Sequence, residues 1–300
     1  MHILSLIRWK NLVLIAFTQI VFWYFLKQSL LENQIQFALS NLEFILLSFT
    51  TVLIAAGGYI INDIYDVEID KINKADRLIV GKFLSVKSAY FLYYFTLVSA
   101  ILIAGYLAFT EQRLQLLWIP PSICLLLFAY AKYFKRGFLF GNIIVSIFVA
   151  AVPAIVILGE SKAMSALTKN DFEKVAIISS YVLFAFIINL LREIVKDMED
   201  EEGDKAMGCK TLPIVLGIKK TRHISVTISI ALILSLLGGL FYGINYFPVA
   251  LNVFIVCISL LLAYTTLKLL QVNKKEAFHQ ISNLLKVAMF LALLGLIFYL

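Results

Sequence analysis

Asn62-Asp63-Ile64-Tyr65-Asp66-Val67-Glu68-Ile69-Asp70 follows directly on an apolar run covering 42–62. The run is long enough to cross a bilayer as a helix, and the helix is expected to continue into the acidic stretch. Asn62, Asp66 and Asp70 then recur at i, i+4 and i+8 and project from one face. Like charges on one helix face repel, and desolvating them beside a membrane is costly. A hard cation relieves both costs. Oxygen ligands completed by water and phosphate suit Mg²⁺. A merely solvated charged face is the bland alternative, and the spacing and the membrane-edge position weigh against it.

A second acidic stretch has the same setting. Arg192-Glu193-Ile194-Val195-Lys196-Asp197-Met198-Glu199-Asp200-Glu201-Glu202-Gly203-Asp204 follows an apolar run at 174–192. Glu193, Asp197, Asp200 and Asp204 step by four, three and four, again along one helix face. Alone, this stretch reads equally well as a solvated charge run. As a matched copy of the first it reads as a second cation site, and a diphosphate bridged by Mg²⁺ ions suits two such faces.

The rest of the chain explains why these acids stand out. Of the 300 residues 61% are hydrophobic and 15% charged, whereas a soluble domain is closer to half apolar and a quarter charged. Apolar runs fall near 10–28, 42–62, 88–108, 114–131, 139–159, 174–192, 224–244, 247–270 and 284–300. Backbone groups in lipid must bond internally, so the runs are helices. The expected fold is all-α, a polytopic membrane protein of about nine spans: two four-helix halves plus one helix around a central cavity, forming one domain over 1–300. The N-terminal run reads as a retained first span, because no small-residue cleavage site follows it convincingly.

Charge sets the orientation. The net charge of +7 would suggest nucleic acid in a soluble protein, but here the basic residues lie in loops between apolar runs. Membrane lipid and orientation account for them, and no nucleic-acid partner is expected. With nine spans, 21 of the 26 lysines and arginines fall on the side of the two acidic motifs. The positive-inside rule makes that side cytoplasmic. Cys124, Cys209 and Cys257 show no metal or disulfide spacing, and His2, His223 and His279 are scattered.

Cations near the motifs are candidate diphosphate ligands. Arg77 and Lys132 are the better ones, with Lys196 beside the second motif and Lys135 and Arg136 closing the fourth span. Tyr130 is the best candidate for an aromatic face beside an allylic cation. Asn142, Asn189 and Asn252 are the main strongly polar residues inside the spans.

At these residues the sequence resembles the UbiA superfamily of intramembrane prenyltransferases. Asn62–Asp70 matches that family's NDxxDxxxD motif and Asp200–Asp204 its DxxxD motif. Gly208-Cys209-Lys210-Thr211-Leu212-Pro213-Ile214-Val215-Leu216-Gly217 resembles its GxxTLPxxLG stretch, and Arg8-Trp9-Lys10-Asn11 the short basic segment before its first helix. The loop Asn73–Gly81 departs from the family's pattern, keeping Arg77 but neither proline. Arg192–Asp200 is similar to the form seen in the family's geranylgeranylglycerol-phosphate geranylgeranyltransferases.

The resemblance implies transfer of a prenyl group, geranylgeranyl for this subgroup, from a prenyl diphosphate to a lipid-type glycerol-phosphate acceptor. It implies that Asn62, Asp66 and Asp70 bind one Mg²⁺ and Asp200 and Asp204 another, helped by Asp63 and Asp197. Arg77, Lys132 and Lys196 would stabilise the departing diphosphate. Aromatic-acceptor and tetrapyrrole prenyltransferases share the architecture and remain alternatives. A membrane transporter is the rival from another class, although transporters place ionisable residues near the midplane.

Overall fold

Nine helices among the described residues are long and apolar enough to cross a membrane. The computed structural model describes residues 2–73, 78–110, 114–272 and 275–299. In chain order the helices are α1 (His2–Leu6), α2 (Trp9–Glu32), α3 (Asn41–Tyr65), α4 (Val67–Asn73), α5 (Val86–Thr110), α6 (Ile119–Lys132), α7 (Phe140–Gly159), α8 (Ser161–Asn170), α9 (Phe172–Glu199), α10 (Glu201–Ala206), α11 (Leu212–Leu216), α12 (Ile218–Gly243), α13 (Val249–Gln271) and α14 (Lys275–Ile297). No strand occurs among the described residues. The spans are α2, α3, α5, α6 with the short 3₁₀ turn before it, α7, α9, α12, α13 and α14. The protein is a multi-pass integral membrane protein.

Several helix ends lie beyond the apolar runs. The ninth span starts at Lys275 rather than near 284, and the sixth continues to Glu199 rather than stopping at 192. A helix does not end where hydrocarbon ends, so its polar first and last turns leave no hydropathy signal. The fourth span has a mixed start: Leu114–Leu117 is 3₁₀ and α6 begins at Ile119, with Pro120 in its first turn. Proline there forfeits no helical hydrogen bond. At the start of α3, Ser40 and Glu43 form a capping box with both of its bonds present.

The chain divides into two compact units. The first comprises Met1–Phe22, Gln36–Lys135 and Ile155–Ser165. Here α3 lies against α5 because Gly57 permits it: a Cβ at Gly57 would stand 2.9 Å from Thr96 Oγ1. Small residues at such crossings are the usual way to bring membrane helices close. Below this crossing Leu6, Ile60, Ile61, Val80, Ala89, Tyr93 and Ala131 form a buried cluster at the end of α3. At the far end of the unit the buried Glu160 carboxylate accepts the backbone N–H groups of Ala38 at 2.7 Å and Leu39 at 3.0 Å. These bonds satisfy donors of the loop before α3.

The second unit comprises Trp23–Ile35, Arg136–Ala154 and Ala166–Leu300. Its core is built by α9, α12, α13 and α14, with Ile188, Leu191, Val195, Leu262, Phe278 and Leu285 fully buried. A hydroxyl pair, Ser229 and Thr266 at 2.6 Å, joins α12 to α13. Gly208 and Gly217 have φ of +68° and +79°. This left-handed conformation favours glycine, and Gly217 lets α11 end and α12 begin within one residue.

Candidate active site

The first acidic motif occupies the end of α3 and all of α4. It is not the single continuous helix that its periodicity suggested. Asp66 interrupts it with φ −92° and ψ −2°, the sparsely populated bridge region in which many active-site residues sit. The i→i+4 ladder nevertheless persists: Asp66 N–H donates to Asn62 O at 3.0 Å and Asp70 N–H to Asp66 O at 2.8 Å. Asp66 therefore marks a joint without losing helical phase.

Two carboxylates of this motif, Asp63 and Asp66, are held by cations from distant parts of the chain, while Glu68 pairs locally with Lys71. Asp66 is 5% exposed. Its Oδ2 accepts from Asn62 Nδ2 at 2.6 Å and pairs with the Lys135 ammonium. The same ammonium donates to Asn62 Oδ1 at 3.1 Å. Arg8 donates to Asp63 Oδ1 at 2.8 Å and lies over the Tyr59 ring at 4.9 Å. Its backbone is left-handed, with φ +50°, a conformation that costs a non-glycine residue energy and persists only where surrounding contacts impose it. Arg8 thus turns the chain from α1 into α2 while its side chain reaches Asp63. Asp70 lies on α4, one turn beyond Asp66.

The second motif repeats the joint. Asp200 stands between α9 and α10 with φ −96° and ψ 7°, close to the values at Asp66. Its N–H donates to Lys196 O at 2.9 Å, and Asp204 N–H donates to Asp200 O at 3.1 Å. Here the charge pairing is local. Glu193 accepts from Arg192 at 2.6 Å and from Lys196 at 3.0 Å. Asp197 instead meets a neutral group: Asn142 Nδ2 donates to its Oδ2 at 2.8 Å. That amide heads a buried chain into the span, with Ser146 Oγ donating to Asn142 O at 2.6 Å and Asn189 Nδ2 to Ser146 Oγ at 3.3 Å. Lys210 N–H donates to Arg136 O at 2.8 Å, tying the loop after α10 to the residues that follow the fourth span.

The other expected residues distribute as follows. Lys132 is exposed, its ammonium 5.0 Å from the Tyr133 ring and 5.7 Å from that of Phe128. Tyr130 is half-buried on α6. Arg77 lies outside the described residues. Lys196 is engaged with Glu193. Arg8, Lys135 and Asn142 are the residues whose contacts to the acids sequence reasoning did not assign.

Among the described residues, no three His, Cys, Asp or Glu side chains gather tightly enough to form a protein-only metal cage. That suits Mg²⁺, which takes one or two carboxylates and completes its shell with water and phosphate. The donor set fits as well, because each motif supplies only hard oxygen ligands. Arg192 Nε–H is buried and has no hydrogen-bond acceptor among the described residues, so it is suited to an anionic oxygen.

Comparison with known proteins adds to this geometry. The model of the UbiA prenyltransferase family matches residues 13–294. "Digeranylgeranylglyceryl phosphate synthase" of Methanosphaera stadtmanae is 32% identical over 254 residues, covering 84% of this chain and 86% of its own. A solved structure described as giving insights into digeranylgeranylglyceryl phosphate synthase in membranes superposes with a TM-score of 0.69 at 27% identity, covering 99% of this chain and 97% of that one. A UbiA homologue from Archaeoglobus fulgidus, bound to GPP and Mg²⁺, has the same fold at a TM-score of 0.56 and 14% identity, each chain covered to 99%.

Proposed function

Because the chain belongs to the UbiA prenyltransferase family, we propose that it transfers a geranylgeranyl group from geranylgeranyl diphosphate to geranylgeranylglyceryl phosphate. The names of its relatives support the acceptor. The match over 13–294 runs through both units and supports reading 1–300 as one prenyltransferase domain. The transporter alternative has no counterpart among these relatives.

The single observation that carries the chemistry is the Asn62–Asp66 pair. An amide oxygen and a buried carboxylate oxygen face one cation at the end of a spanning helix. When bound, Mg²⁺ supplies Lewis-acid charge to the diphosphate and favours its departure. Asn62, Asp66 and Asp70, with Asp63 beside them, hold one ion. Asp200 and Asp204, with Asp197, hold another. Arg77, Lys132, Lys196 and the open Nε–H of Arg192 take diphosphate oxygens. The apolar interior of the spans excludes water from the allylic carbon, and Tyr130 offers it an aromatic face. The hydroxyl oxygen of the acceptor forms the new C–O bond and gives up its proton as the diphosphate leaves. The excess of basic residues on the motif side supports reading this chemistry at the cytoplasmic face.

The test is product analysis. Purified protein in nanodiscs is given geranylgeranyl diphosphate, Mg²⁺ and a panel of acceptors. Digeranylgeranylglyceryl phosphate is the expected product by mass spectrometry, and EDTA abolishes it. Prenylation of an aromatic acceptor alone would replace the acceptor assignment and leave the donor chemistry standing.

A further inference from the structure

We infer that Lys135 is an internal stand-in for the metal at the first motif: its ammonium competes with Mg²⁺ for Asn62 and Asp66. The inference rests on reading this motif as a Mg²⁺ site. Its basis is a closed set of contacts. The Lys135 ammonium touches Asn62 Oδ1 and Asp66 Oδ2, and Asn62 Nδ2 donates to that same Asp66 oxygen. Those two oxygens are among the hard donors that the motif offers a cation. A lysine nitrogen and a metal ion cannot both occupy the space between them.

The pairing has a physical reason. A carboxylate that is 5% exposed is costly to leave without a counter-charge. Lys135 supplies one from the far end of a long stem, 69 residues along the chain. Its side chain is 30% exposed, so the stem has room to swing toward water when a divalent ion displaces it. Displacement does two things. It lowers the apparent Mg²⁺ affinity, because the metal must first break the lysine contacts. It also releases three N–H donors beside the motif once metal is in place, and those donors suit a phosphate oxygen. Lys135 thereby makes anion binding follow metal binding, and it keeps the site electrically satisfied until then.

Arg8 does not serve in the same way. Its bond is to Asp63 Oδ1, and its backbone is fixed at the α1–α2 turn. Among the described residues, Lys135 is the cation that bridges two of the proposed ligands.

The experiment uses the full-length protein in nanodiscs of neutral lipid, without substrate. Thermal unfolding is followed as MgCl₂ is titrated, since a ligand that binds only the folded state raises the melting temperature. Wild type is compared with Lys135→Met, which keeps the stem and removes the charge, and with Lys135→Arg, which keeps a cation. In Lys135→Met the expected half-saturating Mg²⁺ concentration falls by about tenfold, and the melting temperature without Mg²⁺ lies below that of wild type. Lys135→Arg stays near wild type. Should Lys135→Met fold poorly, Lys135→Gln is the second neutral variant. An unchanged or higher half-saturation in the neutral variants would overturn the stand-in role. No Mg²⁺-dependent shift in any variant, wild type included, would instead overturn the metal reading and this inference with it.

Discussion

The two acidic motifs share a backbone and differ in how their charges are balanced. Asp66 and Asp200 adopt nearly the same dihedral angles, and each carries i→i+4 hydrogen bonds on both sides of its joint. Yet Asp66 and Asp63 depend on Lys135 and Arg8, cations 69 and 55 residues away. Glu193 takes its cations from its own helix, and Asp197 is held by the neutral Asn142. Local periodicity therefore places the acids, while long-range packing decides what Asp63, Asp66 and Asp197 meet. In the first motif Asp63 and Asp66 depend on tertiary structure for their counter-charge. In the second, Glu193 carries its counter-charge on its own helix, while Glu199 meets His279 of a later span.

Removing the joint residues themselves breaks the comparison most severely. Asp66→Ala and Asp200→Ala are each expected to lower transfer by about a thousandfold while the protein still extracts and folds normally in detergent. Wild-type rates in one of them would show that the motifs are not equivalent in function, whatever their backbones share.

Asn142→Ala comes next. It removes the amide that orients Asp197 and that heads the polar chain through Ser146 and Asn189. A partner of this kind is worth about 10- to 100-fold in metal affinity or activity. The expected signature is a raised Mg²⁺ half-saturation with nearly unchanged KM for the prenyl diphosphate. An equal rise in both would mean that Asn142 acts on packing instead.

Arg8 separates charge from backbone. Arg8→Ala removes the partner of Asp63 and retains the left-handed strain. Arg8→Gly removes the same partner and relieves it. Both should lose about tenfold in activity, with Arg8→Gly the more thermostable of the two. The pair is partly exposed, so its stability contribution is about 1 kcal/mol at most. Smallest of all is Ser229→Ala, which breaks the hydroxyl pair between α12 and α13. It should cost about 0.6 kcal/mol in unfolding experiments and leave product formation unchanged.

Much of this was legible in the sequence, for identifiable reasons. Lipid demands internally bonded helices, so composition and run length sufficed for nine spans. The Asn62, Asp66 and Asp70 spacing survives in the structure because the hydrogen-bond ladder crosses the joint. The joint itself left no mark: neither Asp66 nor Asp200 is flanked by the glycine or proline that usually signals a break. The short helix α8 carries no apolar run, and hydropathy passed over it. The partners of the acids were the least legible. The sequence marks Lys135 as a candidate diphosphate ligand and Arg8 as part of a basic segment, but nothing within a few residues of either one points at Asp66 or Asp63. Asn142 stood out as polar within a span, yet its bond to Asp197 spans 55 residues and has no local signature.

Glu160 has a consequence for the order in which the protein is made. It accepts the N–H groups of Ala38 and Leu39, which precede it by 122 and 121 residues. A ribosome adding about 5–20 residues per second needs about 6–24 s to travel from one to the other. Through that interval the loop before α3 is already outside the ribosome and lacks the carboxylate that finishes it. These two bonds can form only after the fifth span arrives, so finishing this early loop is timed by translation of a much later segment.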